Sequence, residues 1–401
     1  MKKRRWLYPP IIIFLIGFFY TMLIYNGIWF KLTDGLKSLS IIGYFLWLIF
    51  AFYLTLTLHE LGHFIAFHIQ HIKLRAIYLT MFVFYKDSKR WHFTVKPKLW
   101  VLFGGLVVPD LGDIKDEEDF QQVKDKFSRS LIAAPIVTIS LLGISIITFL
   151  MVLIFGSNAH LLGIISINTL YITFLSTLYI YTFRLSNPMF YGDFVAYKKM
   201  QNDEIFQLAQ ISQYKMFSLD ESEETNRFLW SKSKDIISKN PISTQLFYVM
   251  IVTNYLDGIL KMNYERDVEL DKKLQNINLA ALCKTEQGLS LAYDLCYYEY
   301  FKKNPEGAFK KFELIQKRVG KKLDEKMVAY FRNKSAHIIY LEDHKEFLDN
   351  QENLYIGNAW IFEALMNPYE MLEAYHKELP YVEYSCPVDL SDKEEQKSDL
   401  N

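Results

Sequence analysis

Cysteine is scarce: the 401-residue chain has three, Cys283, Cys296 and Cys386. Their spacing forms no metal or redox motif, and none needs a disulfide partner, which fits a reducing cytosol. Net charge is absent as well, with 45 basic against 45 acidic residues. Beyond Lys2, Lys3, Arg4 and Arg5 there is no basic cluster, which speaks against nucleic acid as a partner. Charge is also missing from long stretches. Residues 6–30 carry none, 41–58 lack Asp, Glu, Lys, Arg and His, and 130–183 lack Asp, Glu, Lys and Arg. About 20 apolar residues suffice for a helix to cross a bilayer. From about residue 196 charges return, so the chain divides into a membrane domain (1–195), a cytoplasmic helical domain (196–387) and a polar tail (388–401) expected to be disordered.

The first apolar run is too long for a signal-peptide core, and no small-residue cleavage site follows it. It reads as a first span whose basic end stays in the cytosol. Residues 31–40 then form a short outer loop, and a second span runs inward from Ile41. Gly156-Ser157-Asn158-Ala159-His160 splits the longest run into helices of about 130–155 and 161–183, and Arg184 marks the return to the cytosol. Four spans with both termini cytoplasmic result. The Lys-, Ile-, Asn- and Tyr-rich composition suggests a bacterial cell membrane.

Between the second and third spans, residues 73–85 and 91–95 are β-branched and aromatic around the polar 86–90, the pattern of a β-hairpin. Residues 99–109 are apolar but too short to span, and read as a strand or re-entrant loop. Residues 110–129 read as a short amphipathic surface helix. In the second half, 241–261, 278–303, 305–319 and 324–341 have helical periodicity. The expected fold is an α-helical polytopic membrane protein with a small β-hairpin insertion and a C-terminal all-α soluble domain. Its helix pairs weakly resemble tetratricopeptide units, without a strict repeat.

The chemistry centres on His59-Glu60-Leu61-Gly62-His63, at the inner end of the second span. On a helix, residues four apart share a face, so His59 and His63 can offer two imidazoles to one Zn²⁺, with Glu60 beside them as a base. By itself this short motif also occurs on soluble helices with unliganded histidines. Inside a membrane, however, three ionisable side chains are costly unless they serve a site. Asp193, just after the fourth span in Ser186-Asn187-Pro188-Met189-Phe190-Tyr191-Gly192-Asp193, is the acidic residue best placed as a third ligand; otherwise it is a turn residue. A soluble-type third histidine is excluded, since Ala66 and Ile69 stand where Gly and His would be needed. His68 and His71 are expected at the interface or behind the ligands.

These residues resemble the site-2 protease family of intramembrane zinc metalloproteases over about 41–195. His59-Glu60-Leu61-Gly62-His63 matches its zinc motif, and residues 73–107 resemble the following sheet and Gly-rich loop. Ala133-Ala134-Pro135-Ile136-Val137-Thr138 resembles its small-Gly-Pro-x-x-Asn element, with Ala134 for Gly and Thr138 for Asn. Residues 188–193 resemble its Leu-Asp-Gly segment, with Gly192 before Asp193 and Phe194 after it. The resemblance implies zinc held by His59, His63 and Asp193, Glu60 as general base, and cleavage of membrane-embedded peptides or peptide precursors near the cytoplasmic face. It makes Thr138 a candidate substrate contact. Asn168, polar at depth, is a second candidate or a helix–helix hydrogen bond. The partners expected are a membrane peptide, the lipid bilayer and a cytoplasmic partner for the helical domain. Two other classes stay open: an inactive descendant that binds membrane peptides, against which the intact Glu60 argues, and a transporter-associated protein, against which the lack of an inverted repeat argues.

Overall fold

The computed structural model describes residues 27–366 except 103, 188, 189, 220 and 221, together with 13, 14, 17, 18, 21, 24 and 25. Most of the first apolar run, Pro188, Cys386 and the C-terminal tail therefore lie outside the described residues. Two compact units emerge. The first comprises the described residues up to Gly112, Glu117–Asp203 and Tyr214–Leu219; the second comprises Asp113–Asp116, Glu204–Gln213 and the described residues from 222 onward.

The first unit is built on helices. Helix α1 covers Ile28–Lys37, where an outer loop was expected. It stays helical because it has something to dock on: Gly35 lies against the backbone of Ala159 and Gly163, and Lys31 donates to the Leu153 carbonyl at 2.9 Å. Helix α2, Ile41–Ile69, opens on Ser40, whose side chain accepts from the Gly43 amide. Helix α3 covers Glu117–Phe155 with Pro135 inside it, and α4 covers Ala159–Thr182. The amphipathic stretch before the third span is thus not a separate surface helix. Charge falls away along α3, but nothing between Glu117 and Ser130 breaks a helix. Among the described residues, α2, α3 and α4 are the helices long and apolar enough to cross a membrane. Each leaves large apolar side chains bare, such as Ile41 on α2, Ile147 on α3 and Phe174 on α4, as a lipid-facing surface would. A stripe of α2 with Ala51, Thr55, His59 and Gly62 is buried.

Between α2 and α3 lies a four-stranded antiparallel sheet: β1 Lys73–Leu79, β2 Phe82–Lys86, β3 Trp91–Val95 and β4 Gly105–Asp110. Its order is β3-β2-β1-β4. The expected hairpin is therefore part of a larger sheet, and its first arm is itself two strands. The chain reverses at Thr80-Met81, so that Leu79 pairs with Phe82. Thr80 takes φ 51° there, rare for a β-branched residue, and its amide is held by the Gly104 carbonyl at 3.0 Å. Strand β4 pairs with β1 from Lys73↔Asp110 to Leu79↔Gly105 and is an edge strand. Beyond α4 come the short strands β5 Ser186–Asn187 and β6 Phe190–Tyr191, then helix α5, Asp193–Asn202.

Helix α6, Glu204–Lys215, leads into the second unit, which is helical: α7 Glu223–Lys239, α8 Leu246–Leu260, α9 Val268–Leu274, α10 Leu279–Leu282, α11 Glu286–Phe301, α12 Pro305–Arg318, α13 Glu325–Ile338 and α14 Lys345–Asp349. The caps explain several starts. Asn304 and Asp324 accept from the amides of Gly307 and Met327, the usual way to satisfy a helix's first free N–H groups. Helix α11 is the core element, packed against α8, α12 and α13 and buried on every side, with Tyr293, Tyr297 and Tyr298 inside. Cys283 and Cys296 are buried there as free thiols.

Candidate metal centre

The site is assembled from α2, α3, α4 and the start of α5, all in the first unit. His59 and His63 are one helical turn apart on α2, their rings 5.2 Å apart at 83°. Helix α3 approaches α2 closely at this level. A Cβ on Gly62 would stand 2.7 Å from the Cα of Ala134, so glycine is required there. That approach lets α3 hold both imidazoles from behind. His63 Nδ1 donates to the Ser130 carbonyl at 2.8 Å. His59 Nδ1 meets the Thr138 hydroxyl at 2.9 Å, with the Ala134 carbonyl also in reach. A carbonyl can only accept, so Nδ1 of His63 carries the proton and Nε2 presents its lone pair; the Ala134 carbonyl sets the same tautomer for His59. Gln70 locks the end of α2 to α3, donating to the Lys126 carbonyl at 3.1 Å and the Ser130 hydroxyl at 3.0 Å.

Asp193 enters as the first residue of α5, where a helix N-terminus favours a carboxylate. Its flanks are fixed by the backbone: the Gly192 amide donates to the Leu185 carbonyl at 3.0 Å and the Phe194 amide to the Phe183 carbonyl at 3.1 Å. Asp193 Oδ2 is buried without a hydrogen-bond partner. It lies 3.3 Å from His59 Nε2 and 3.8 Å from His63 Nε2. The three ligand atoms are all within 4.8 Å of one another. Three acceptors turned to one point repel each other unless a cation lies between them, and two imidazoles with one carboxylate suit Zn²⁺. Imidazoles backed by outer hydrogen bonds are the arrangement that metal-binding histidines need. The donor set therefore fits a metal.

Glu60 is 4 % exposed. Its side chain lies against β4: a Cβ on Gly105 would stand 2.4 Å from its Cγ and 2.6 Å from its Cδ and Oε1. Bare backbone at 105 is what leaves room for the carboxyl. Two rings at the C-terminal end of α4, Tyr179 and the capping residue Phe183, stack nearly parallel on His59, at 5.6 Å and 5.2 Å.

The structure thus brings His59, Glu60, His63 and Asp193 together. It places Thr138 against His59, fully buried. It does not bring Asn168 to them. Asn168 lies eleven residues before Tyr179 on α4, roughly 16 Å along the axis, and its amide donates to the Ile164 carbonyl at 3.0 Å. His68 and His71 are exposed. Sequence reasoning missed Tyr179, Phe183, Gln70 and the Ser130 carbonyl; the Gly104-Gly105 pair suggests a strand or re-entrant loop beside the site, and Gly105 lies in β4 against Glu60. In the same unit the ring of Tyr214, from the Tyr214–Leu219 segment, packs on Phe127 at 5.0 Å. Burial, with Glu60 and Asp193 nearby, raises the pKa of the Tyr214 hydroxyl above its ordinary value. Only the i, i+4 spacing of Tyr179 and Phe183 hinted that two rings share one face at the end of α4.

No curated protein and no solved structure matches the chain. Residues 47–339, well over half of the chain, match peptidase family M50. Three membrane-type helices, a His-Glu-x-x-His helix and an Asp turned toward it agree with that match, and the chain belongs to peptidase family M50, the site-2 protease family of membrane metalloproteases.

Proposed function

We propose that this protein is a zinc metalloendopeptidase of the site-2 type, cutting membrane-embedded peptides or peptide precursors near the cytoplasmic face. The observation that carries this reading is the convergence of His59 Nε2, His63 Nε2 and the unpartnered Asp193 Oδ2 within 4.8 Å. A zinc ion held by these three side chains would supply Lewis-acid polarisation of the scissile carbonyl. Glu60 takes the proton from the attacking water and passes it to the leaving amine nitrogen as the peptide bond breaks. As the residue after His59, it is turned about 100° around the helix from the ligand, toward Gly105. Thr138 acts by orienting His59, not by touching substrate. The stacked rings of Tyr179 and Phe183 keep bulk water from one side of the centre.

A spanning substrate must unwind before cleavage, because its amides are bonded within its own helix. The sequence pointed to the hairpin as the element that receives the unwound strand. We assign that part to β4, the edge strand beside Glu60, where backbone pairing would hold an extended segment next to the base. We further read the chain as four spans with cytoplasmic termini, the first span lying in residues 6–30. We read the helical domain, whose pairs such as α11 and α12 weakly resemble tetratricopeptide units, as the part that binds a substrate tail or a cytoplasmic partner. Metal analysis tests the core of this reading. The purified protein should carry about one zinc per chain, lost in a His59→Ala, His63→Ala double variant; full zinc occupancy in that variant would contradict the ligand assignment.

A further inference from the structure

Two buried polar atoms at the metal centre have no hydrogen-bond partner, Asp193 Oδ2 and the Tyr179 hydroxyl. The ligand cluster accounts for the first. The second is unexplained by the fold. A buried O–H without an acceptor costs free energy, and native proteins seldom keep one without a use. Here it sits on the ring stacked at 8° against His59. Glu60 is near enough to act on it electrostatically, yet does not bond it.

The other groups against the histidines have other work or face away from the Nε2 side of the rings. The Thr138 hydroxyl sits at the Nδ1 edge of His59, at 2.9 Å, across the ring from the Nε2 that meets Asp193. The Nδ1 proton of His63 goes to the Ser130 carbonyl. Asp193, as a carboxylate, only accepts, and the proton that Glu60 takes from water goes to the leaving amine. Peptide hydrolysis places growing negative charge on the carbonyl oxygen, and a preorganised donor aimed at that charge typically contributes about 10² to 10³ in rate. We infer that Tyr179 is a further catalytic residue, its hydroxyl donating a hydrogen bond to the scissile carbonyl oxygen as that oxygen gains charge. This rests on the metalloprotease reading above.

Tyr179→Phe keeps the ring and its stack and deletes only the donor. The probes are L-leucine hydroxamate, whose anionic oxygen needs a donor, and L-leucinethiol, which offers sulfur alone. Titration calorimetry and zinc analysis should show zinc retained in the variant, thiol affinity unchanged and hydroxamate affinity lower by about tenfold or more, as for a hydrogen bond to a charged group. Tyr214→Phe, the neighbouring tyrosine, should leave both affinities unchanged. With the membrane peptide recovered on a Glu60→Gln variant as substrate, Tyr179→Phe should lower kcat about 10²-fold with KM unmoved. Equal hydroxamate affinity in Tyr179→Phe, or a loss shown by Tyr214→Phe instead, would overturn the assignment. So would loss of zinc or of the fold in Tyr179→Phe, because the hydroxyl would then be structural. Wild-type protein without zinc or hydroxamate binding would sink the metalloprotease reading itself.

Discussion

Replacing Thr138 by valine exchanges a hydroxyl for a methyl of nearly equal size and tests the outer support of the metal site. Thr138 is fully buried and its hydroxyl lies 2.9 Å from His59 Nδ1. Leaving a buried donor without its partner costs about 1–3 kcal/mol. Loss of a group that orients a metal-binding histidine typically lowers metal affinity about 10- to 100-fold, equivalent to about 1.4–2.7 kcal/mol, so the two estimates agree. The Ala134 carbonyl also faces this ring and takes up part of the loss, which places the expectation at the lower end, near tenfold. Competition against a fluorescent zinc chelator measures it in detergent-solubilised protein. Thr138→Ser, which keeps the hydroxyl, should restore most of the affinity. Wild-type zinc affinity in Thr138→Val would refute the orienting role, as would equal losses in Val and Ser.

Gly105→Ala should displace Glu60, since the new Cβ would stand 2.4 Å from its Cγ. Zinc content should hold while kcat falls by at least about tenfold, within the 10² to 10⁴ that a general base contributes. In the second unit, burial pushes Lys334 down to about 7, against 10.5 ordinarily. Between these values the unfolded chain binds more protons than the folded one, so this lysine makes stability rise with pH across that window. The melting temperature should therefore climb from pH 7 to 9 less steeply in Lys334→Met than in wild type, and identical slopes would refute this. Glu299 is buried between Lys302 and Lys311, at 3.1 Å from each. Glu299→Gln leaves two partly buried ammonium groups without their counter-charge and should cost about 3 kcal/mol, toward the low end for a broken buried pair, measurable by urea denaturation of the full chain.

The parts of this protein that obey a simple period were legible in its sequence. The long uncharged runs pointed to α2, α3 and α4, because a bilayer sets both length and composition; α4 lies within two residues of its expected bounds, whereas α2 runs on to Ile69 and α3 starts already at Glu117. The four amphipathic stretches after residue 240 correspond to α8 and α10–α13. What failed was local. Thr80 turns the chain with no Gly, Asn or Pro to announce it, held by the Gly104 carbonyl from a strand distant in sequence. Residues 31–40 looked like a loop because they carry charge, yet contact with Ala159 and Gly163 keeps most of them helical. At the metal centre, His59, Glu60 and His63 are a motif with fixed spacing. Asp193 is 130 residues away from His63 in sequence and was located only by its place after the last span. Thr138 was read as a substrate contact because its partner, a ring nitrogen on another helix, is a tertiary fact. The same holds for Tyr179, whose meaning lies in what it packs against.

The account stands on Glu60 transferring a proton at a centre built from His59, His63 and Asp193, and one comparison tests it most directly. Wild-type and Glu60→Gln proteins would be purified from membranes, and the peptides that accompany each identified by mass spectrometry. Gln is nearly isosteric with Glu but lacks the basic carboxylate. The account predicts that Glu60→Gln retains an intact membrane-spanning peptide, absent from wild type, which added wild-type enzyme converts to two fragments. If that peptide emerges uncut from incubation with zinc-loaded wild-type protein, or if Glu60→Gln cuts it at the wild-type rate, the account is contradicted.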